Sequence, residues 1–574
     1  MMHKIKTIFA QLVRIAGTIL LILSMIAVCV CFFIVFGSML KSLKAYEMLF
    51  SEIMLGVFAF LLIVLLIMKK KQSRIKKGTV LVCDLEGTFR EEPPEALTEA
   101  LLKPEMTFFQ VIGALDSALK DSAISMLLIR IRNLKVGWGK LTELYQVLDK
   151  WKKAGKPAYC FLGDSSNKEY FLANAGYKIF INTGALLLFN GFAVELPFMK
   201  NLLDRIGIEA EFEKAGIYKS SFDLFLREHM SPEHREELSS MFTHLQDYVV
   251  KTVAESRKIA EEEIKKAVQI GVFNHKTAIE CKLVDDATSL DQMKTKLLEQ
   301  NNKIEFMPLA RYYQIKRKKL SGGARAVVAM ILVNGVLQEG KNSYNPMFGK
   351  VIGSDYIIEL LEDAAKSKNI CGIVIRINSP GGSGSASELI WQKIKSVSSK
   401  KPVAISMGDV AASGGYYIAS AAHFITANPL AITGSIGVLS GKINIENLLK
   451  NLGINVEKIA TADNANMLSI FSRMSENQKN LLRKINEDFY ALFIQRIAEG
   501  RKMSPDEVEK AAQGRIWLAS QALELHLIDS IGGIDTAINF IKSQNKILAH
   551  EPVKVIAFMK RKPFLQRFKL KSPI

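Results

Sequence analysis

The chain has 574 residues, of which 49% are hydrophobic, and its formal net charge is +19. This length and composition exclude an intrinsically disordered protein and allow two or more domains with full cores. Basic residues cluster beside apolar segments near both ends of the chain, which favours a solvated or membrane-facing surface over a nucleic-acid partner. The six cysteines have no C-x-x-C spacing, so they indicate neither a metal site nor an oxidising compartment.

Two uncharged apolar segments lie near the N-terminus, at residues 15–36 and 53–68. The first is long enough to cross a hydrocarbon layer of about 30 Å as a helix, whereas the second needs residues 48–52 near the interface to complete a crossing. We predict a membrane anchor of one or two transmembrane helices within residues 1–77. Two spans would place the body of the protein on the cytoplasmic side by the positive-inside rule, and a single span would place it outside.

The rest of the chain contains one pattern twice, and Ile129 of the first copy corresponds to Ile375 of the second. Short strands alternate with amphipathic helices in both copies, which predicts an α/β domain made twice. The matching segments are residues 79–85, 126–131, 141–152 and 158–162 in the first copy and 327–333, 372–377, 388–396 and 403–407 in the second. We place an N-terminal domain at 78–300, a linker at 301–325, a C-terminal domain at 326–548 and a basic tail at 549–574.

Two loops of small residues distinguish the second copy. Residues 378–384 follow a strand and carry glycines that leave backbone N–H groups open to an oxyanion or a phosphate, although a plain glycine turn fits them as well. The loop lacks the lysine and the spacing of a nucleotide-binding P-loop. Small neighbours around Ser413 leave its Oγ and the N–H of Gly414 open to a substrate carbonyl. Taken alone, Ser413 is more typical of the N-cap of the following helix than of a nucleophile.

A serine nucleophile needs a base. His423 is the histidine near Ser413 in sequence, and its place within the following helix predicts a structural role. A lysine can act instead if burial keeps its amine neutral. Lys219 follows an apolar strand-like segment and differs from its second-half counterpart, Asn464 or Ala465. Without further information, one lysine among many is typical of a solvated surface group.

Several motifs together carry a family resemblance: Ser379-Pro380-Gly381-Gly382, Asp409-Val410-Ala411-Ala412-Ser413-Gly414-Gly415-Tyr416-Tyr417, Thr433-Gly434-Ser435-Ile436-Gly437 and Tyr218-Lys219-Ser220. With them, residues 80–547 resemble the signal peptide peptidase A (protease IV) family in its long tandem-domain form. The resemblance implies two tandem ClpP/crotonase-like repeats and a serine endopeptidase with a Ser/Lys dyad. It also implies peptide substrates such as signal-peptide remnants, no cofactor, no metal and a homotetramer.

The resemblance assigns roles to six residues: Ser413 as nucleophile, Lys219 as general base, Gly414 with Gly381 or Gly382 as the oxyanion hole, and Ser435 as the group that orients the lysine. A turn residue between two glycines is an equally good interpretation of Ser435. The first half departs from these motifs, because residues 133–136 replace the glycine loop and Asn167 or Lys168 replaces the nucleophile. We expect that half to donate the base and part of the cleft wall.

Two other functions stay open at this point: a crotonase-like acyl-CoA enzyme and an inactive membrane scaffold of the same fold. The expected location is the bacterial inner membrane. The catalytic body would be external by resemblance, or cytoplasmic by the charge rule if there are two spans.

Overall fold

The computed structural model describes residues 56, 75–93, 105–321, 326–346 and 349–560. The chain divides into two units, Met1–Arg74 and Ile75–Ile574, and the description below concerns the second. The predicted span 15–36, and all of the predicted span 53–68 except Gly56, lie outside the described residues. Within the described ranges, no helix combines the length and the apolar character that a membrane crossing needs.

The first half of the body contains the following elements. Its strands are β1 Thr79–Gly87, β2 Ile124–Leu134, β3 Ala158–Leu162, β4 Lys178–Ile181, β5 Leu186–Phe189, β6 Glu209–Ala215, β7 Gly271–Asn274, β8 Asp286–Ala287 and β9 Phe306–Pro308. Its helices are α1 Phe108–Lys120, α2 Trp138–Lys153, α3 Asn167–Ala173, α4 Lys200–Ile206, α5 Asp223–Leu226, α6 Pro232–Arg257, α7 Glu261–Ile270, α8 His275–Glu280, α9 Leu290–Gln300 and α10 Leu309–Ser321.

The second half follows the same plan. Its strands are β10 Val327–Asn334, β11 Val336–Gln338, β12 Ser343–Asn345, β13 Gly349–Gly353, β14 Ile370–Ser379, β15 Val403–Ala412, β16 Phe424–Ala427, β17 Ile432–Gly434, β18 Val438–Asn444, β19 Ile516–Leu518, β20 Ser530–Ile531 and β21 Lys554–Ala557. Its helices are α11 Ser354–Lys366, α12 Gly384–Ser398, α13 Gly414–Ala419, α14 Glu446–Asn451, α15 Glu476–Arg501, α16 Pro505–Ala511, α17 Ala519–Glu524 and α18 Ile534–Gln544.

Both halves are built on a parallel sheet with one strand order. The order is β8-β4-β3-β2-β1-β9 in the first half and β20-β16-β15-β14-β10-β21 in the second. A smaller antiparallel pair accompanies each sheet, β5 with β7 and β17 with β19. The central strands are almost continuously apolar because helices cover parallel sheets on both faces. The predicted tandem duplication of an α/β domain is therefore confirmed.

The duplication extends to the helix ends. Helices α6 and α15 each have 26 residues, and they begin after Ser231 and Ser475, whose side chains accept a backbone N–H of the first turn. Ser475 and Gln478, three positions apart, form a capping box at the start of α15. Both helices end at a lysine in the left-handed conformation, Lys258 and Lys502. Identical starts and stops fix the same helix length in each copy.

One strand of each half pairs with a strand of the other half, and this pairing joins the two halves. Strand β6 of the first half pairs with β18 of the second, with Ala215 opposite Val438 and Glu209 opposite Asn444. The chain leaves β6 beside the second half, so residues 216–219 lie against second-half residues. This pairing brings side chains of the first copy to the loops of the second.

A buried ionic cluster also joins the halves. The Arg376 side chain is 1% exposed, and it contacts Glu143 at 2.8 Å and Glu91 at 3.3 Å, both from the first half. The Lys140 amine lies 3.4 Å from Glu91 and 3.5 Å from Asp409, in the segment that precedes Ser413. Because buried charges are costly unless they are paired, each half needs the other to neutralise its own.

Parts of the segments predicted as linker (301–325) and tail (549–574) form strands and a helix. Residues 306–308 form β9, which pairs with β1, and residues 309–321 form α10. Residues 554–557 form β21, which pairs with β10. A strand of three or four residues is too short to show an alternating pattern, so the sequence gives little sign of these edge strands.

Candidate active site

Ser413 stands at the junction of β15 and α13, in a strained backbone conformation. Its φ is +53° and its ψ is −121°, a region that non-glycine residues rarely adopt. Its N–H donates to the carbonyl of Gly434 at 2.8 Å, which holds the turn in place. The Ser413 side chain makes no cap hydrogen bond to α13. The hydroxyl is therefore directed away from the helix that it precedes.

The Lys219 amine lies within hydrogen-bond distance of that hydroxyl. Its Nζ is 3.1 Å from Ser413 Oγ, 2.8 Å from the Ser435 carbonyl oxygen and 3.0 Å from Ser435 Oγ. A neutral amine has two N–H donors and one lone pair. If Ser435 accepts both N–H groups, the lone pair of Lys219 faces the Ser413 O–H. This is the arrangement that a general base requires.

Burial makes the amine of Lys219 less basic than that of an ordinary lysine. The residue is 6% exposed, and loss of hydration lowers its pKa from 10.5 to about 8. The negative charge of Glu237 acts in the opposite direction and raises the pKa. A substantial fraction of the Lys219 amine is therefore neutral slightly above neutral pH.

Backbone contacts across the two halves hold the lysine in place. The N–H of Tyr218 donates to the carbonyl of Gln513 at 2.8 Å. The next residue, Gly514, has φ +83°, and a Cβ there would lie 2.6 Å from the backbone nitrogen of Lys219. A glycine is needed at 514 because both the backbone conformation and the close approach exclude a side chain.

Ser435 also has an unusual backbone, with φ +51°. Its N–H donates to the carbonyl of Arg515 at 2.7 Å, and the residue is buried. Both its carbonyl and its hydroxyl face Lys219. Ser435 thus contacts the amine as well as forming a turn, so the two interpretations offered by the sequence are compatible.

The glycine loop after β14 approaches the serine closely. Gly381 has φ +104°, and a Cβ there would lie 2.6 Å from the N of Gly414 and 2.8 Å from the Cβ of Ser413. The Gly381 N–H is already used, because it donates to Ser379 Oγ at 3.1 Å. The two glycines that the sequence leaves open as alternatives therefore differ in their free hydrogen-bonding groups.

The neighbouring amide of Gly382 is better placed. Leu337 accepts the N–H of Ser383 at 2.9 Å and donates its own N–H to Gly381 at 2.8 Å, so one side of this extended segment faces Leu337. The Gly382 N–H then points to the opposite side, and its nitrogen is 3.3 Å from the position that a Cβ of Gly414 would occupy. Within the described residues, the Gly382 and Gly414 N–H groups find no acceptor.

Among the residues of the first half that the structure describes, there is no equivalent of this arrangement. The Tyr170 and Tyr416 hydroxyls donate to matching carbonyls, so these tyrosines are equivalent. Asn167 precedes Tyr170 by three residues, as Ser413 precedes Tyr416. The Asn167 amide is bound to the carbonyl of Gly191 at 2.7 Å.

Lys168 and Glu169 fill the space beside that position. The Lys168 amine donates to the carbonyl of Val136 at 2.7 Å, and the Glu169 carboxylate accepts the N–H of Leu134 at 2.6 Å. Glu169 also accepts from Ser166, which caps α3. In the second half, this loop carries N–H groups toward Ser413. At the equivalent position of the first half, side chains bind the loop and close it.

Sequence reasoning did not identify Glu237 or Arg515 as neighbours of the site. Glu237 is the sixth residue of α6, and the sixth residue of α15 is Leu481. A comparison of the two copies at this position would have identified the acidic side chain. His423 lies elsewhere, where its Nδ1 accepts the N–H of Val403 at 3.2 Å.

Comparisons with known proteins identify the family to which this chain belongs. The family described as Peptidase family S49 matches residues 150–304 and 395–548, one range in each half. "Serine protease SPPA, chloroplastic" from Arabidopsis thaliana is 30% identical over 84% of this chain and 72% of its own length. "Protease 4" from Salmonella typhi is 29% identical over 76% and 71%, and "Protease 4" from Haemophilus influenzae is 27% identical over 82% and 80%.

Proposed function

Because the chain belongs to peptidase family S49, a family of serine peptidases, we propose that Ser413 and Lys219 form its catalytic dyad. The observation that carries this assignment is the 3.1 Å contact between Lys219 Nζ and Ser413 Oγ. A buried amine with a lowered pKa and a strained serine in contact with it are the two partners that nucleophilic catalysis needs.

The reaction proceeds in two stages. Lys219 takes the proton of the Ser413 hydroxyl as the oxygen attacks the scissile carbonyl carbon, and a tetrahedral oxyanion forms. When the C–N bond breaks, the Lys219 ammonium gives the proton to the leaving amine. A water molecule then repeats the attack on the acyl-serine, again with Lys219 as base, and releases the second peptide.

The oxyanion is stabilised by the N–H groups of Gly414 and Gly382. Both amides lie beside Ser413, and both are without an acceptor among the described residues, whereas the N–H of Gly381 is bound to Ser379. Gly381 has a different role, because its lack of a side chain lets the loop approach Ser413. Ser435 orients the Lys219 amine through its carbonyl and hydroxyl.

The substrates are extended, largely apolar peptides such as signal-peptide remnants. The resemblance to signal peptide peptidases suggests this class, and exposed apolar surface on the second half supports it. The exposed apolar side chains of residues 452–471 are Leu452, Ile454, Val456, Ile459, Leu468, Ile470 and Phe471. The family match also favours a peptidase over an acyl-CoA enzyme, and the intact site argues against an inactive scaffold.

The enzyme is anchored in a bacterial cell membrane by one or two N-terminal helices and assembles as a homotetramer. The apolar segments at residues 15–36 and 53–68 support the anchor. The long tandem form of the family supports the tetramer. A reporter fused after residue 574 would identify the side of the membrane on which the body lies.

The test is cleavage of a synthetic signal peptide by the detergent-solubilised full chain. Ser413→Ala and Lys219→Ala should each abolish cleavage without unfolding the protein. Lys276→Ala, which removes an exposed lysine of the first half, is the matched control and should retain full turnover. Near-normal turnover by Lys219→Ala would contradict the proposed dyad.

A further inference from the structure

Glu237 is a buried carboxylate beside the site that the reaction described above does not use. It lies on α6 of the first half and is 3% exposed. Its Oε1 accepts the N–H of Ile516, the first residue of β19 in the second half, at 2.6 Å. Burial of a carboxylate costs free energy, so its presence at this position calls for a physical reason.

A short series of bonds connects Glu237 to the dyad. Ile516 follows Arg515, and the carbonyl of Arg515 accepts the N–H of Ser435 at 2.7 Å. Ser435 in turn contacts the Lys219 amine with its carbonyl and hydroxyl. By holding Ile516, Glu237 fixes the backbone that positions Ser435 against Lys219.

Glu237 also acts on Lys219 through its charge. The carboxylate raises the pKa of Lys219, against the effect of burial. The charged groups that act electrostatically on Glu237 are Arg515, then Glu236 on the same helix, and then Lys219. Burial raises the pKa of Glu237 to about 7, while the Ile516 N–H and then Arg515 and Lys219 favour its ionised form.

The duplicated fold provides an independent observation. The second half has Leu481 where the first has Glu237, and Asn464 or Ala465 where the first has Lys219. The acidic side chain therefore occurs in the copy that supplies the lysine and not in the other. A carboxylate that served only to cap or to solubilise α6 would have no reason to differ in this way.

We propose that Glu237 is a positioning residue for Lys219, which holds the Ser435 segment in place and stabilises the ammonium that forms when Lys219 takes the proton of Ser413. Before proton transfer, the carboxylate faces a neutral amine. After transfer, it faces an ammonium in a poorly hydrated site, where their attraction is stronger than in water. This inference rests on the proposed function of Ser413 and Lys219.

The experiment measures the rate at which a fluorophosphonate labels Ser413 as a function of pH, in the detergent-solubilised full chain. Glu237→Gln keeps an acceptor for the Ile516 N–H and removes the charge. Without the negative charge, the Lys219 ammonium is less stable and loses its proton at lower pH. The rising limb of the profile of labelling rate against pH should shift to lower pH by about one unit. The plateau rate should fall about tenfold.

Two further variants make the test specific. Glu237→Asp keeps the charge and should keep the limb nearer its wild-type position than Glu237→Gln does. Glu255→Gln removes an exposed charge of the same helix, α6, far along the chain from Glu237, and should leave both limb and plateau unchanged. A Glu237→Gln profile equal to the wild-type profile, or a Glu237→Asp profile shifted as far as that of Glu237→Gln, would overturn the inference. Absence of labelling in the wild type would instead contradict the proposed dyad.

Discussion

Replacing Gly381 by alanine perturbs the site without removing any side chain from it. The added Cβ would lie 2.6 Å from the N of Gly414, 2.8 Å from the Cβ of Ser413 and 3.0 Å from the carbonyl oxygen of Ala412. Carbon atoms pack at about 3.5 to 4.0 Å, so the loop and the serine must separate by about 0.7 Å or more. The Gly381 φ of +104° adds strain for any residue with a Cβ.

Two costs follow from this geometry. The backbone strain should lower the free energy of unfolding by about 1 to 3 kcal/mol. The displacement moves the loop that carries the Gly382 N–H away from Ser413, and loss of one oxyanion donor typically lowers kcat by about 10² to 10³. We expect Gly381→Ala to fold, to bind substrate and to show kcat/KM lower by a factor in this range.

Peptide cleavage and thermal unfolding of the same preparation separate the two costs. Gly155→Ala is the matched control, because Gly155 also has a positive φ, +70°, but a Cβ there meets nothing within 4 Å. The control should lose stability and keep kcat/KM within about twofold of wild type. Wild-type kcat/KM in Gly381→Ala would show that this loop is not next to the reacting atoms.

Three other predictions concern Lys219 and the buried ionic cluster. Because Lys219 has a pKa of about 8 and must be neutral to act as a base, kcat/KM should be about tenfold lower at pH 7 than at pH 9; a flat profile would contradict its role. Between pH 8 and 10.5 the unfolded chain holds the Lys219 proton and the folded chain does not, so wild-type stability should rise by about 3 kcal/mol relative to Lys219→Met in chemical denaturation. Arg376→Leu should cost about 3 to 5 kcal/mol, because Glu91 and Glu143 lose their partner, and a loss below about 1 kcal/mol would refute this.

The sequence predicted the elements of the fold well because local patterns determine them. Strand β3 has the predicted bounds, and β1, β10 and α2 differ by a few residues at their ends. The capping boxes at Ser475 and Ser504 can be recognised from the sequence, since each depends on residues three positions apart. The duplication was visible because both copies keep the same order of short strands and helices.

Local sequence patterns did not predict the features that depend on contacts between the halves. Lys219 and Ser413 are far apart in the chain, and the resemblance rather than any local pattern brought them together. The choice between Gly381 and Gly382 depends on where Leu337 and Ser379 direct their hydrogen bonds, which no spacing reveals. The pairing of β6 with β18 likewise requires two copies of the fold to meet.

The central claim is that the amine of Lys219 activates the hydroxyl of Ser413. The most direct test is mass spectrometry of the detergent-solubilised full chain after exposure to a fluorophosphonate near pH 8.5, for the wild type and for Lys219→Ala. We expect one adduct on Ser413 in the wild type and labelling slower by at least about 10² in the variant. An adduct on another serine, or equal labelling rates in the two proteins, would contradict the claim.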